Sequence, residues 1–244
     1  MPVQVIIPSR KRPGAIPEID HLFPDAVWCI GADEADAYAV PAGRKLIHPP
    51  DVLGIARKRQ WIMENSQGTI LMADDDVRKV WCNVGRTGHE ISGSENIRQI
   101  VENAAHIAEE IGAPIFGFDQ SWDVRMFRPF DPLRFTGWVG TVIGFTRHDL
   151  QFDTNLVCQG EDIDICLQGL LKQRIIFVDH RFAFVCQRFT NAGGMASVRS
   201  SEQYELDKNR MLRKWGQWIS AQKVKTTIRI IPRVPRRQHL DIEL

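Results

Sequence analysis

Short apolar runs alternate along this chain with longer segments of helical periodicity, the pattern of strands separated by helices. Residues 3–7 read as a buried strand stopped by Pro8, and residues 26–30 as a second stopped by Gly31. Residues 54–65 fit a helix with Ile55, Lys58 and Arg59, and Ile62 and Met63 distributed around its faces, followed by the apolar strand 69–73. From about Ser94, the residues Ile97, Ile100, Val101, Ala104, Ala108 and Ile111 recur at helical steps, Glu95 occupies the first turn and Gly112 supplies the stop. Residues 115–118 and 139–145 are further strands, the second punctuated by Gly140 and Gly144. Residues 160–171 form a helix whose stripe is Ile163, Cys166, Leu167, Leu170 and Leu171, leaving Glu161, Asp164 and Gln168 on the other face. Residues 175–178 and 182–186 read as two closing strands, before a polar glycine-bearing loop at 190–197 and a charged helix from about 201 to 218.

Strands alternating with helices predict an α/β fold with a mostly parallel central sheet covered by helices on both faces. With 244 residues and no internal repeat, the pattern gives one domain followed by a C-terminal extension over residues 221–244. Hydrophobic residues at 43% and charged ones at 25% are ordinary for a globular protein, and the net charge of +1 hides an uneven distribution. Lys223, Lys225, Arg229, Arg233, Arg236 and Arg237 carry no acid among them, whereas acids gather at 33–36, 74–76 and 161–164. Cys29, Cys82, Cys158, Cys166 and Cys186 are scattered, mostly in apolar runs and without a CxxC pair, which suits reduced buried thiols and argues against zinc. The first residues lack a signal-peptide pattern, and no apolar stretch reaches the roughly 18 residues of a membrane span, so the expected location is cytoplasmic.

The chemistry concentrates at strand ends. Asp74, Asp75 and Asp76 directly follow the apolar run 69–73, which would deliver three carboxylates to the carboxyl edge of the sheet, where open α/β sheets bind ligands. A polar turn accounts for one or two aspartates. Three repel one another, and a hard divalent ion such as Mg²⁺ or Mn²⁺, shared with diphosphate oxygens, relieves that repulsion. At the end of the first strand, Pro8-Ser9-Arg10-Lys11-Arg12 places a hydroxyl and three cations at the same edge, fit either for phosphate or for solvent. Asp33, after the second strand, suits acceptance from a base or a ribose hydroxyl, or a helix cap. Arg57 opens a helix and can face an anion there or remain solvated. Glu161 and Asp162 follow Gly160 at another helix start, either as partners of the helix dipole or as a carboxylate base.

Taken in order, strand-Pro-Ser-Arg, strand-Gly-Ala-Asp, Gly-x-Ala-Arg before a helix, strand-Ala-Asp-Asp-Asp, a glycine-bearing strand and Gly-Glu-Asp-x-Asp resemble the GT-A fold of nucleotide-sugar glycosyltransferases over residues 3–190. The compact size, the run 7–12 and Asn191-Ala192-Gly193-Gly194-Met195 are similar to the TET-associated glycosyltransferases of bacteriophages, which glycosylate hydroxymethylated pyrimidines in DNA. The resemblance implies a GT-A-like, Rossmann-like domain over residues 1–220. It implies Asp76 and Asp74 as the metal-binding motif for Mn²⁺ or Mg²⁺, with Asp74 toward the donor and Asp75 the member of least consequence. Pro8, Ser9, Arg10, Asp33, Arg57, Asp74 and Asp75 would line a UDP-sugar or similar donor; Asp162 would be the base and Glu161 an acceptor or sugar contact. One departure is the lack of a late histidine ligand: after Gly194 the first histidine is His239, and His180 is the alternative.

A DNA acceptor, here 5-hydroxymethylcytosine, would call on aromatics and cations such as Trp122, Trp138, Trp215 and Trp218 with Arg125, Arg128 and Arg134, and on the basic segment 223–238. Trp138, beside Gly137, stands out among them. Tryptophans are otherwise core residues, and the segment otherwise a solvated edge strand. Two further functions fit the same residues: a nucleotidyltransferase, or a non-catalytic nucleic-acid or protein-binding module. Transfer to a glycan or a protein is the remaining alternative for the acceptor.

Overall fold

The computed structural model describes residues 2–187, 200–224 and 227–232. The 190–197 loop with its Asn191–Met195 motif, the basic residues Lys225, Arg233, Arg236 and Arg237, and His239 lie outside the described residues. The elements run β1 (Gln4–Pro8), α1 (Ile16–Leu22), β2 (Val27–Gly31), β3 (Lys45–His48), α2 (Ile55–Asn65), β4 (Ile70–Ala73), β5 (Val77–Val84), β6 (Thr87–Ile91) and α3 (Ser94–Glu110). There follow β7 (Ile115–Asp119), β8 (Leu133–Arg134), β9 (Val142–Phe145), α4 (Glu161–Gln173), β10 (Phe177–Cys186), α5 (Ser201–Trp215), β11 (Ile219–Val224) and β12 (Thr227–Pro232).

The fold is α/β around a ten-stranded sheet of order β3-β2-β1-β4-β9-β7-β10-β5-β6, with β8 pairing β10 off this path. Helices cover both faces, and the strand alternation explains how. Val5, Ile7, Leu71 and Ala73 point to the side packed by Ile19 and Leu22 of α1 and by Ile97, Val101, Ala104 and Ala108 of α3. Their neighbours Ile6, Ile70 and Met72 point to the opposite side, against Ile62 and Met63 of α2 and Ile165, Cys166 and Leu170 of α4. Being covered twice, β4 is apolar at every position and β1 from Val5 on, which is why they read as runs.

The expectation of a mostly parallel sheet is corrected: it is mixed. Four pairings are parallel, β1 with β2 and β4, β2 with β3, and β7 with β10. Five are antiparallel, because β9 runs opposite to its neighbours β4 and β7, and β10 pairs with β5 and β8 and β5 with β6 in hairpin-like fashion. Residues 175–178 and 182–186, read as two strands, belong to one bent strand, β10. Polar Asp179, His180 and Arg181 interrupt its apolar pattern, but the backbone continues with a register shift between Asp179 and Ala183. The bend swings the end of β10 back to the carboxylate triplet, where the Gln187 amide donates to the Asp76 carbonyl at 2.9 Å. Among the described residues no helix is long and apolar enough to cross a membrane.

A third apolar cluster joins α4 to α5 through Ile163, Leu167, Met211 and Trp215, and Ile219 at the start of β11 packs into it. Trp215 is therefore a core residue rather than an acceptor contact, and its indole donates to Asp164 Oδ1 at 2.7 Å. Asp164 itself is fully buried and also meets Lys214 at 2.6 Å.

Candidate active site

β1, β2, β3 and β4 run parallel, so they end on one edge and deliver Ser9–Arg12, Ala32–Glu34, His48 and Asp74–Asp76 to it. β7 runs antiparallel to β9, and β9 to β4, which brings Asp119 and Gln120 to the same edge. The helices α2 and α4 both start there.

The three aspartates occupy different environments. Asp75 is buried and held from two sides: Ser9 Oγ donates to its Oδ2 at 2.6 Å and Arg12 Nη1 to its Oδ1 at 2.7 Å. Ser9 Oγ also meets the Tyr38 hydroxyl at 2.8 Å, and the buried Lys58 ammonium donates to the Ser9 carbonyl. Ser9 and Asp75 thus fasten two strand-end loops together. Asp74 keeps about a third of its side chain exposed, at 34%, and accepts from Arg59 Nη2 at 2.9 Å. Burial pushes its carboxyl up to about 6; Arg59 opposes the shift, while Asp76 and Asp75 add to it. Asp76 is raised as well, by burial first and then by Asp75. Its Oδ1 is buried and finds no hydrogen-bond partner among the described residues.

An orphaned carboxylate oxygen next to a second raised carboxyl suits a hard divalent cation. Among the described residues no three or more His, Cys, Asp or Glu side chains converge to hold a metal by themselves. Asp76 and Asp74 would supply part of an oxygen shell that diphosphate and water complete, as Mg²⁺ tolerates. His180, the alternative ligand, is engaged elsewhere: its Nδ1 lies 3.0 Å from Asp119 Oδ2.

Arg59 joins the two acidic motifs, and sequence reasoning missed it. Its guanidinium, 3% exposed, spans Asp74, Glu161 Oε1 at 3.3 Å and the Gly140 carbonyl at 3.2 Å. The signal lay in the periodicity. Arg59 stands four residues after Ile55 and three before Ile62, within the inward stripe of α2, where a cation needs buried partners. Glu161 is buried, and burial together with Asp162 pushes it up to about 7 against the lowering influence of Arg59. Asp162 Oδ1 accepts from the Ile163 amide at 2.8 Å. A Cβ on Gly140 would stand 2.5 Å from Asp162 Oδ2, 3.2 Å from Trp138 Cζ3 and 3.4 Å from Gln120 Oε1. The bare glycine is what lets this carboxylate, indole and amide converge.

Of the other expected donor contacts, Pro8, Arg10 and Asp33 lie at the same sheet edge and Arg57 on the outward face of α2. Arg10 and Asp33 form a bidentate pair at 2.8 and 2.7 Å across the first two strand-end loops, which holds Asp33 below the usual carboxylate range. Pro8 ends β1 behind them. Arg57 points away from the triplet, outward into a cavity between α2 and α5. His48 was also missed. It is fully buried with Nδ1 2.7 Å from the Pro49 carbonyl, which can only accept, so Nδ1 carries the proton and Nε2 presents a lone pair without a partner among the described residues. Of the aromatics and cations considered for an acceptor, Trp122 is exposed and stacks edge-on against Trp81, and Arg125 is exposed beside Asp123.

The segment entering α4 is fixed from α5. Asp207, 1% exposed, accepts at Oδ2 from the successive amides of Val157, Cys158 and Gln159 at 3.1, 2.5 and 3.1 Å, and at Oδ1 from Gln203 at 2.8 Å. Gly160 then turns into the helix with φ of 93°, setting Glu161 and Asp162 in its first turn. Asp207→Ala strands those amides, and the expected loss is about 2–3 kcal/mol of unfolding free energy. Urea denaturation measures it; a loss under about 1 kcal/mol would mean that water replaces the carboxylate at no cost.

No family model matches the chain, and none of the curated proteins does.

Proposed function

We propose that this protein is a metal-dependent glycosyltransferase of GT-A-like architecture. It would move a sugar from a nucleoside-diphosphate sugar, such as a UDP-sugar, to a hydroxyl acceptor. The observation that carries the reading is the meeting of two acidic motifs at one sheet edge: Asp74 and Asp76, with an orphaned buried oxygen, and Glu161-Asp162, joined to them through Arg59. A carboxylate pair suited to a cation beside a carboxylate base, Asp162, supports a metal-dependent, inverting transfer from a nucleoside-diphosphate sugar.

In this reading Asp162 takes the proton of the acceptor hydroxyl as its oxygen bonds to the anomeric carbon. The bond from that carbon to the diphosphate oxygen breaks, and its electron pair leaves with the nucleoside diphosphate. The divalent cation, when bound, offsets the charge gathering on the diphosphate. Glu161 and Asp74 stay ordered around Arg59, whose charge keeps both carboxylates compatible at short range. Trp138 and Gln120 flank Asp162 on the acceptor side and offer a ring face and an amide to a planar acceptor. The acceptor drawn from the resemblance is 5-hydroxymethylcytosine in phage DNA.

The test is incubation of the protein with Mn²⁺, a panel of nucleotide sugars, and DNA containing 5-hydroxymethylcytosine or only unmodified bases. The expected result is release of nucleoside diphosphate with a matching gain in nucleoside mass. Absence of donor turnover across the panel rejects the transferase. Pyrophosphate release from a nucleoside triphosphate would identify a nucleotidyltransferase instead, and transfer to a glycan or protein alone would reject only the DNA acceptor.

A further inference from the structure

A cavity of about 430 Å³ lies between the start of α2, the 154–157 loop and α5. Its size falls within the range of small-ligand sites. Three guanidiniums line it, Arg57 from α2 and Arg210 and Arg213 from α5, with Leu53 and Leu206 as its apolar part. The one acid in the lining is Asp207, and its oxygens are already taken by three backbone amides and Gln203. Arg210 stands 3.7 Å from Asp153, a distance too long for a good hydrogen bond. Arg57 and Arg213 make no ion pair or hydrogen bond among the described residues.

Three cations from two helices thus line one cavity, against the buried Asp207 and, at 3.7 Å from Arg210, Asp153. The start of α2 adds to the positive potential: no side chain caps it, its first turn holds no acid, and its amides point toward the Gly54 end. Among the described residues Arg210 has only the long pair with Asp153, and Arg57 and Arg213 have no ionic partner, in contrast to Lys58 and Arg59, the next residues of Arg57's helix, which turn inward to the Ser9 carbonyl and the two acidic motifs.

We infer that this cavity is a phosphate-binding site, in which Arg57, Arg210 and Arg213 grip a phosphate ester and Leu53 and Leu206 pack against the group that bears it. Phosphate suits it because guanidinium forks match phosphate oxygens in pairs and the helix start favours an anion. The cavity takes in the outward face of the start of α2, whose inward face carries Arg59. The phosphate can belong to a nucleoside diphosphate or to a nucleic-acid backbone, and the cavity keeps this property whether or not a sugar is transferred.

Binding titrations of the full chain, without sugar or added metal, separate the sources. The probes are UDP, followed by calorimetry, and a labelled single-stranded oligothymidylate, followed by anisotropy at low salt. The double variant Arg57→Gln/Arg213→Gln is expected to bind one of them at least about tenfold more weakly, since a charge-assisted hydrogen bond contributes on the order of 1.5–3 kcal/mol. Loss confined to UDP assigns the site to the nucleotide, and loss confined to the oligonucleotide, with a shallower salt dependence, assigns it to a phosphodiester backbone. Loss of both leaves the phosphate site standing. A parent that binds neither probe, or a double variant with unchanged affinities and an unchanged melting temperature, overturns it.

Discussion

Asp162→Asn is expected to cut turnover roughly 10²–10⁴-fold while leaving donor affinity within a few-fold of the parent, because a general base acts in the transition state and adds little to ground-state binding. Asn has nearly the same volume, and its Oδ1 still accepts from the Ile163 amide, so the start of α4 keeps its shape. What is lost is the proton acceptor beside Trp138 and Gln120. Asp76→Asn should behave differently. Its Oδ1 is a buried carboxylate oxygen without a partner among the described residues, and Asn replaces one carboxylate oxygen with an amide group and removes the charge, so the substitution should abolish the dependence on Mn²⁺ and weaken donor binding along with turnover. Steady-state kinetics with varied donor and Mn²⁺ distinguish the two. Equal losses of kcat/KM through KM alone in both variants would assign Asp162 to binding and leave the base unidentified. Glu161→Gln is the control, since its carboxyl is already committed to Arg59.

The aspartate triplet was readable because an apolar run ended in three acids, and the structure sets it at the end of β4 beside the strand ends that carry Ser9 and Asp33. The division of labour within it was not readable. Asp75 is the most deeply fixed of the three, because Ser9, 66 residues away, and Arg12 reach it from another loop. Strand direction was equally hidden: a strand covered on both faces is apolar at every position whichever way it runs, so β9 looks the same parallel or antiparallel. Arg59 could be flagged as a cation inside an apolar stripe, but its bond to Glu161, 102 residues on, exists only in the folded chain. Asp207 carried a similar signal, standing at four-residue spacing with Met211 and Trp215 on the buried face of α5. In both helices a charged residue in the inward stripe marked a buried partner. Arg57 belongs to the outward face, and its role as a donor contact depended on the resemblance alone.

The largest effect on stability is expected from Arg59→Met. A long apolar stem is retained, so the packing of α2 on the core changes little, but Asp74, Glu161 and the Gly140 carbonyl lose their common donor. Removing one member of a buried ionic network leaves uncompensated charge, and the cost is about 3–5 kcal/mol near pH 8. The pH dependence follows from the direction of the shifts. Asp74 at about 6 and Glu161 at about 7 lie above their ordinary carboxylate values, so the folded state holds these protons more tightly than the unfolded one. Such groups lower stability as pH rises from the unfolded values toward the folded ones, and their full penalty is present above about 7. Without the guanidinium both carboxyls rise further, which widens the gap between variant and parent on the alkaline side and narrows it toward pH 5, where both are protonated. Urea denaturation of parent and variant at pH 5 and pH 8 measures this, and Arg59→Met/Glu161→Gln should recover part of the loss at pH 8 only. A penalty of the same size at both pH values, with no recovery in the double variant, would assign Arg59 to packing and remove it from the electrostatics of the site.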